Sequence, residues 1–149
     1  MTSRSIFARA EPGLPTQRFA VSDALHSGVV ACSMRTSLRA AARMLAENRA
    51  QAMLVFGRST DDGPAASACG IVSDDDLVKA VVGHDLDDTT AGDVAHFPMR
   101  SVEPDEPLSA AVLMMVVNGS PYVTVVGRDG LPLGILSAFD VARTVAGYD

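Results

Sequence analysis

Two stretches of the sequence end an apolar run with a serine and carry an aspartate three residues later. Ser73 is followed by Asp76, and Ser137 by Asp140, within residues 70–76 (GIVSDDD) and 134–140 (GILSAFD). The pattern is typical of a strand leading into a helix whose free backbone N–H groups are capped by the serine. Such a helix start can hold phosphate oxygens. A carboxylate one turn further on could accept hydrogen bonds from two vicinal ribose hydroxyls, so the pattern suits a nucleotide.

Each stretch continues with a cation at the same place. Lys79 and Arg143 both stand three residues after the aspartate and could meet a phosphate. The same residues have a purely structural explanation, because Ser followed by Asp is a variant of the capping box and an Asp with a cation at i+3 is an ordinary surface pair. A single occurrence would favour that explanation. Two occurrences at the same place in a repeat favour a nucleotide site.

An internal repeat sets the elements that must position these residues. Residues 36–58 align with 106–128 at an offset of 70, and residues 70–83 align with 134–147 at an offset of 64. The six-residue difference falls in a loop that is long and polar in the first copy. Each copy reads as β-α-β-β-α. The predicted strands are 29–32, 52–56, 69–72, 101–103, 122–126 and 133–136, and the predicted helices are 37–48, 74–82, 106–118 and 138–146.

The fold class that this order predicts is α+β, with two halves that share a core because neither could cover its own sheet. We expect an N-terminal arm over 1–21, mobile or loosely docked, a first domain over 22–83, and a connector with the second domain over 84–149. Residues 91–97 (AGDVAHF) should form a helical turn. The first helix of each copy has a capping signal, Thr36 or Ser37 in one and Asp105 before Pro107 in the other.

Composition excludes several classes of function. The chain has 149 residues, 48% of them hydrophobic, and a formal charge of −6, which opposes binding to nucleic acid. No stretch approaches the roughly 20 apolar residues that span a bilayer, and the first residues lack a signal core. We therefore expect a soluble, cytoplasmic protein with no membrane partner.

Metal, redox and catalytic sites are not indicated by the sequence. Cys32 and Cys69 lie in apolar surroundings without a CxxC motif and are expected to be reduced and buried. His26, His84 and His96 are isolated from one another, with no second histidine at helical spacing, and are expected to be structural or surface residues. The triple aspartate over 74–76 invites a Mg²⁺ site, but consecutive helix residues point in different directions. No nucleophile and base pair, HExxH or GxxxxGK[ST] motif is present, so we expect no enzyme activity.

At this point the chain resembles the cystathionine β-synthase (CBS) domain family, in the tandem arrangement known as a Bateman module. The resemblance covers roughly residues 22–149 and rests on the doubled unit, the DEPLSAA helix entry, the VTVVGRDGLPLGILS hairpin and the final S-x-x-D. It implies two CBS repeats related by a pseudo-twofold axis. It also implies two clefts between them that in many members bind AMP, ADP, ATP or S-adenosylmethionine, with no cofactor required.

The resemblance carries over to individual positions. The family's ribose-binding aspartate matches Asp76 and Asp140, and its Ser or Thr matches Ser73 and Ser137. Each cleft also takes residues from the opposite repeat. The cleft of Asp140 (the Asp140 cleft) should be lined by Ser137, Ile135, Val30, Ala50 and Arg143. The cleft of Asp76 (the Asp76 cleft) should be lined by Ser73, Ile71, Arg100, Ser120 and Lys79.

The two clefts are not expected to be equivalent. Arg100 and Ser120 stand where small apolar residues commonly contact adenine in the family. We therefore expect a non-catalytic regulatory module that binds an adenosine-containing ligand best in the Asp140 cleft, as a homodimer that regulates a partner protein. The alternative is a dimerising protein-interaction module with empty clefts.

Overall fold

The computed structural model of the chain describes residues 15–25, 29–57, 69–97 and 101–147. Most of the expected arm, His26, Arg100 and the long loop of the first repeat lie outside this part of the chain, as does the side chain of Cys69. The first half contains α1 (Pro15–Arg18), α2 (Val21–Ala24), β1 (Ala31–Ser33), α3 (Leu38–Asn48), β2 (Ala52–Phe56), β3 (Cys69–Ser73) and α4 (Asp74–Gly83). The second half contains α5 (Ala91–Val94), β4 (Ser101–Val102), α6 (Leu108–Asn118), β5 (Tyr122–Val126), β6 (Pro132–Ser137) and α7 (Ala138–Ala146).

The strands form two three-stranded sheets with the same topology. In each sheet the first strand runs parallel to the second, and the second pairs antiparallel with the third, in the orders β1-β2-β3 and β4-β5-β6. This confirms the predicted α+β class with two β-α-β-β-α units. The first strand of each unit is short, and β1 begins at Ala31 rather than at the predicted Val29.

Helix ends follow the predicted signals in the first repeat but not fully in the second. Ser37 caps α3, since its Oγ accepts a hydrogen bond from the Ala40 N–H at 3.1 Å. The prediction that Asp105 caps α6 is wrong. The N-cap is Pro107 without a side-chain bond, and Asp105 instead lies 3.3 Å from the guanidinium of Arg128. The N–H of Leu108, the first helical residue, donates to Phe19 O at 2.8 Å.

Each sheet packs against its helices to form one of two hydrophobic clusters, and strands β2 and β6 of the two repeats pack together. The cluster of the first repeat is built from residues of β1, α3, β2, β3 and α5: Cys32, Ala41, Leu45, Met53, Val55, Val72 and Ala91. The cluster of the second repeat includes α2 and residues of β4, α6, β5 and β6: Val21, Ala24, Val102, Leu108, Ala111, Met115, Val123, Val125 and Leu136.

The segment that precedes each repeat packs on the other repeat. The predicted helical turn in the connector is α5, which belongs to the core of the first repeat, and α2 belongs to the core of the second. Equivalent backbone hydrogen bonds hold the two leading segments. The Leu38 N–H donates to Thr89 O at 2.9 Å, and the Leu108 N–H donates to Phe19 O at 2.8 Å. Val21 is fully buried, so the described end of the expected arm is docked. Helices α1 and α2 contact α6, and α2 also contacts α7.

No helix within the described ranges is long and apolar enough to cross a membrane.

Candidate functional site

Both serine–aspartate pairs lie where a strand ends and a helix begins. The backbone N–H of Asp76 donates to Ser73 Oγ at 3.2 Å, and the Ser73 N–H donates to Asp76 Oδ2 at 2.8 Å. At the start of α7 the corresponding distances for Asp140 and Ser137 are 3.0 and 2.8 Å. Each pair thus forms a complete capping box, which fixes one carboxylate oxygen at the helix start.

The Asp140 cleft is a cavity of about 470 Å³ between the two repeats. It brings together all six residues predicted for it: Val30, Ala50, Ile135, Ser137, Asp140 and Arg143. The first two come from the first repeat and the others from the second, so the cleft exists only when both repeats are docked. Its volume falls within the range typical of small-molecule sites.

The Asp140 cleft combines polar groups at one side with apolar walls. Arg143 lies one turn after Asp140 on α7, with its guanidinium carbon 5.9 Å from the centre of the Phe139 ring. Asn48 and Arg49, at the C-terminal end of α3, line the opposite side. The cleft therefore offers a carboxylate acceptor, a helix N-terminus and cations around an apolar space, a set of groups suited to a phosphorylated or charged ligand with an apolar ring.

The Asp76 cleft is the pseudosymmetric counterpart, with a volume of about 600 Å³. Five of its predicted residues line it: Ile71, Ser73, Asp76, Lys79 and Ser120. The sixth, Arg100, lies outside the described residues. Lys79 pairs with Asp75 rather than with Asp76. Its Nζ lies 3.0 Å from Asp75 Oδ2 in an exposed i,i+4 pair.

The three consecutive aspartates of α4 have separate partners. Asp74 accepts the N–H of Asp75 at 2.8 Å, Asp75 pairs with Lys79, and Asp76 bonds to Ser73 and His96. Within the described ranges, no group of three His, Cys, Asp or Glu side chains converges on a point where a metal ion could bind. The carboxylates thus diverge as expected for consecutive helix positions.

The repeated topology and the two clefts agree with a comparison against families of known proteins. The sequence model of the CBS domain family matches residues 21–83 and 91–147. The chain belongs to the CBS domain family. CBS repeats therefore account for both sheets and for both clefts between them.

Solved structures of other CBS proteins share this architecture. A CBS domain protein from Pyrobaculum aerophilum, complexed with AMP, is 28% identical over 82% of this chain and 89% of its own, with a TM-score of 0.71. The CBS domain of a bacterial CNNM/CorC family Mg²⁺ transporter, in complex with ATP, is 18% identical over 90% of this chain and 92% of its own, with a TM-score of 0.71, and shows the fold alone. No curated protein matches the sequence significantly.

The sequence analysis did not name several residues that line the CBS clefts, Asn48 and Arg49 among them, and two others bear on the chemistry of the clefts. Tyr122 lines both clefts, and burial together with the negative charges of Asp74 and Asp76 raises its pKa. The sequence held a signal for Tyr122, because the 70-residue offset aligns this aromatic residue with the small Ala52 of the first repeat. The second is His96, which was expected to be an isolated structural or surface histidine but lines the Asp76 cleft.

Proposed function

We propose that this chain is a non-catalytic regulatory module that binds an adenosine-containing ligand, such as AMP, ADP, ATP or S-adenosylmethionine, in the Asp140 cleft. The observation that carries this proposal is the convergence of Ser137 and Asp140 with Val30 and Ala50 of the other repeat around one cavity. The AMP complex of the Pyrobaculum aerophilum relative supports the same class of ligand.

Each part of such a ligand has a matching group in the cleft. The vicinal hydroxyls of ribose would donate to the carboxylate of Asp140, chiefly to Oδ1, since Oδ2 already accepts the Ser137 N–H. The base would lie against the apolar walls of Val30 and Ile135. Phosphate oxygens would be held by the start of α7 and by Arg143, whose planar guanidinium suits phosphate.

Regulation would follow from the position of the cleft between the repeats. A ligand that contacts Ala50 and Asp140 together links the two CBS units and favours the arrangement in which both touch it. The size of the response is limited to the difference in the ligand's affinity for the two arrangements. No catalytic step is needed for this role.

Assembly into a homodimer is part of the proposal. Helix α6 exposes Leu113, Val116 and Val117, whereas the matching positions of α3 are Arg43, Ala46 and Glu47. A patch of large aliphatic side chains on one helix favours contact with a second copy over permanent exposure to water.

The alternative function uses the same surface: a cytoplasmic dimerising module that contacts a partner protein and leaves its clefts empty. Nucleic acid is not a proposed partner, given the charge of −6.

Thermal unfolding tests the two functions. The purified chain is heated alone and with AMP, ADP, ATP, NAD, GTP or S-adenosylmethionine at millimolar concentration. A compound held only by the folded state raises Tm by mass action, by an amount that grows with its concentration. A rise with one or more adenosine compounds supports the ligand sensor. No rise with any compound contradicts it and leaves the interaction module.

A further inference from the structure

His96 lies on the carboxylate of the Asp76 cleft. Its Nε2 is 2.8 Å from Asp76 Oδ1. The contact is held by the backbone, because His96 and Ile71 exchange two hydrogen bonds, with His96 N–H donating at 3.0 Å and Ile71 N–H at 3.3 Å. The connector after α5 therefore runs beside β3 and presents the imidazole to the end of the cleft where Asp76 lies.

Counting the acceptor sites of Asp76 shows what this contact does. An ionised carboxylate offers about four lone-pair sites, two on each oxygen. Oδ2 accepts the Ser73 N–H at 2.8 Å and the Ser73 hydroxyl at 3.1 Å, which fills it. Oδ1 is the oxygen left for a ligand, and one of its two sites is taken by His96. A vicinal diol needs two sites, so it does not fit beside the imidazole.

The exposed fractions of the two side chains indicate which of them an incoming ligand would displace. The Asp76 side chain is 10% exposed, whereas the His96 side chain is 76% exposed. The carboxylate is fixed by the capping box at the start of α4, while the ring can rotate into solvent without disturbing the cores. Because the pair is open to solvent on its imidazole side, a ligand that enters the cleft could displace the ring without moving the carboxylate.

We propose that His96 is a specificity-determining residue of the Asp76 cleft, where its imidazole occupies the position of a ligand's diol and must be displaced before a ribose can bind Asp76. The inference rests on the proposed function, since it concerns how the second cleft takes the same class of ligand. His26 stands 70 positions earlier, at the matching place of the repeat, and is outside the described residues. The inference therefore concerns His96 alone.

The test measures the Asp76 cleft in isolation. Asp140→Asn removes the ligand carboxylate of the other cleft, and His96→Ala is added to that variant. AMP and S-adenosylmethionine are titrated separately by isothermal calorimetry. We expect His96→Ala to tighten binding about two- to fivefold, because the variant has no imidazole to displace from the carboxylate. His84→Ala, which removes an exposed histidine that lines neither cleft, should change nothing.

Two further measurements tie the gain to the diol and the carboxylate. The gain should be lost with 2′-deoxy-AMP, which has no vicinal diol, and it should be lost when Asp76→Asn is added. Unchanged affinity after His96→Ala, with binding by the wild-type chain intact, overturns the inference and leaves the proposed function standing. Binding that appears only after His96→Ala supports the inference. Absence of binding in the wild-type chain and in every variant overturns both.

Discussion

The carboxylate of Asp140 both caps α7 and lines the Asp140 cleft. Its Oδ2 accepts the Ser137 N–H at 2.8 Å, and its side chain also lines a cavity of about 470 Å³. An alanine at this position would remove both the cap and the ligand contact, so stability and binding would change together. An asparagine keeps an oxygen for the Ser137 N–H and removes the charge.

We therefore expect Asp140→Asn to weaken an adenosine ligand by about 10- to 100-fold, the loss of a hydrogen bond to a charged group. The free energy of unfolding should fall by less than about 1 kcal/mol, because an oxygen acceptor remains at the capping position. Ligand-induced Tm shifts and denaturant unfolding measure the two effects. Asp93→Asn is the matched control, since Asp93 caps α5 in the same way and lines neither cleft. An undiminished shift for Asp140→Asn would remove Asp140 from the proposed site.

Cys32 is a second residue whose behaviour follows from its surroundings. The thiol is free and buried, and burial raises its pKa, an effect partly opposed by a hydrogen bond with Thr36. A raised pKa lowers the thiolate fraction at neutral pH, and the thiolate is the reactive form. In a Cys69→Ser variant, which leaves one cysteine, we expect the folded protein to react with a disulfide reagent at least about tenfold more slowly than the unfolded chain at pH 8. Equal rates would show that Cys32 is accessible in the folded state.

At the scale of elements, the connector approaches β3 so closely that the strand needs a glycine. A Cβ on Gly70 would lie 2.7 Å from ring atoms of Phe97. Gly70→Ala should therefore destabilise the fold by about 1–3 kcal/mol, the usual cost of overpacking. Gly83→Ala is the control, because its Cβ would meet nothing within 4 Å and a helical alanine is neutral or stabilising. Denaturant unfolding measures both. Equal effects at the two sites would contradict the close packing of the connector.

Elements that repeat in the sequence were predictable, and those that depend on contacts between repeats were not. The boundaries of β2 and β5 and the capping by Ser37 follow from local patterns, so the sequence predicted them correctly. The residues expected in the two clefts line them, apart from Arg100, which lies outside the described residues, and their role in binding stays a prediction. The prediction that Asp105 caps α6 failed, since the N-cap residue is Pro107 and no side chain caps this helix.

Docking of the leading segments could not be derived from local patterns. Nothing in the sequence around Val21 specifies that it is buried under α6, a helix almost ninety residues away. His96 was missed for the same reason, because its contact with Asp76 depends on the path of the connector beside β3. Both features could have been suspected from the 70-residue offset, which aligns Asp23 and His26 with Asp93 and His96.

For the whole molecule, the reciprocal packing of α2 and α5 predicts that the halves depend on each other. A fragment 1–83 lacks α5, and a fragment 84–149 lacks α2, so each would expose part of its own core. We expect neither fragment to unfold cooperatively as a dilute monomer, and we expect a mixture of the two to regain one transition. Circular dichroism during heating, with size-exclusion chromatography, measures this. Independent cooperative transitions of the separate monomeric fragments would contradict it.

Dimerisation is also a property of the whole molecule. If the exposed side chains of α6 contact a second copy, Val116→Lys with Val117→Lys should halve the mass measured by light scattering, since buried lysine is costly without a partner. Ala46→Lys with Glu47→Lys changes the matching positions of α3 and should leave the mass unchanged. A monomeric wild-type chain would contradict the proposed homodimer.

The exchanged leading segments also bear on the ancestry of the chain. An ancestor with a single repeat could have completed its core only by receiving the leading segment of another molecule. Two identical copies would have done this for each other, in the geometry that Leu38 with Thr89 and Leu108 with Phe19 preserve. Gene duplication would then have joined two subunits that already depended on each other, and the Asp76 and Asp140 clefts would descend from one site present twice. Their differences, such as Ser120 where the first repeat has Ala50, would be changes that became possible only after the two copies could mutate separately.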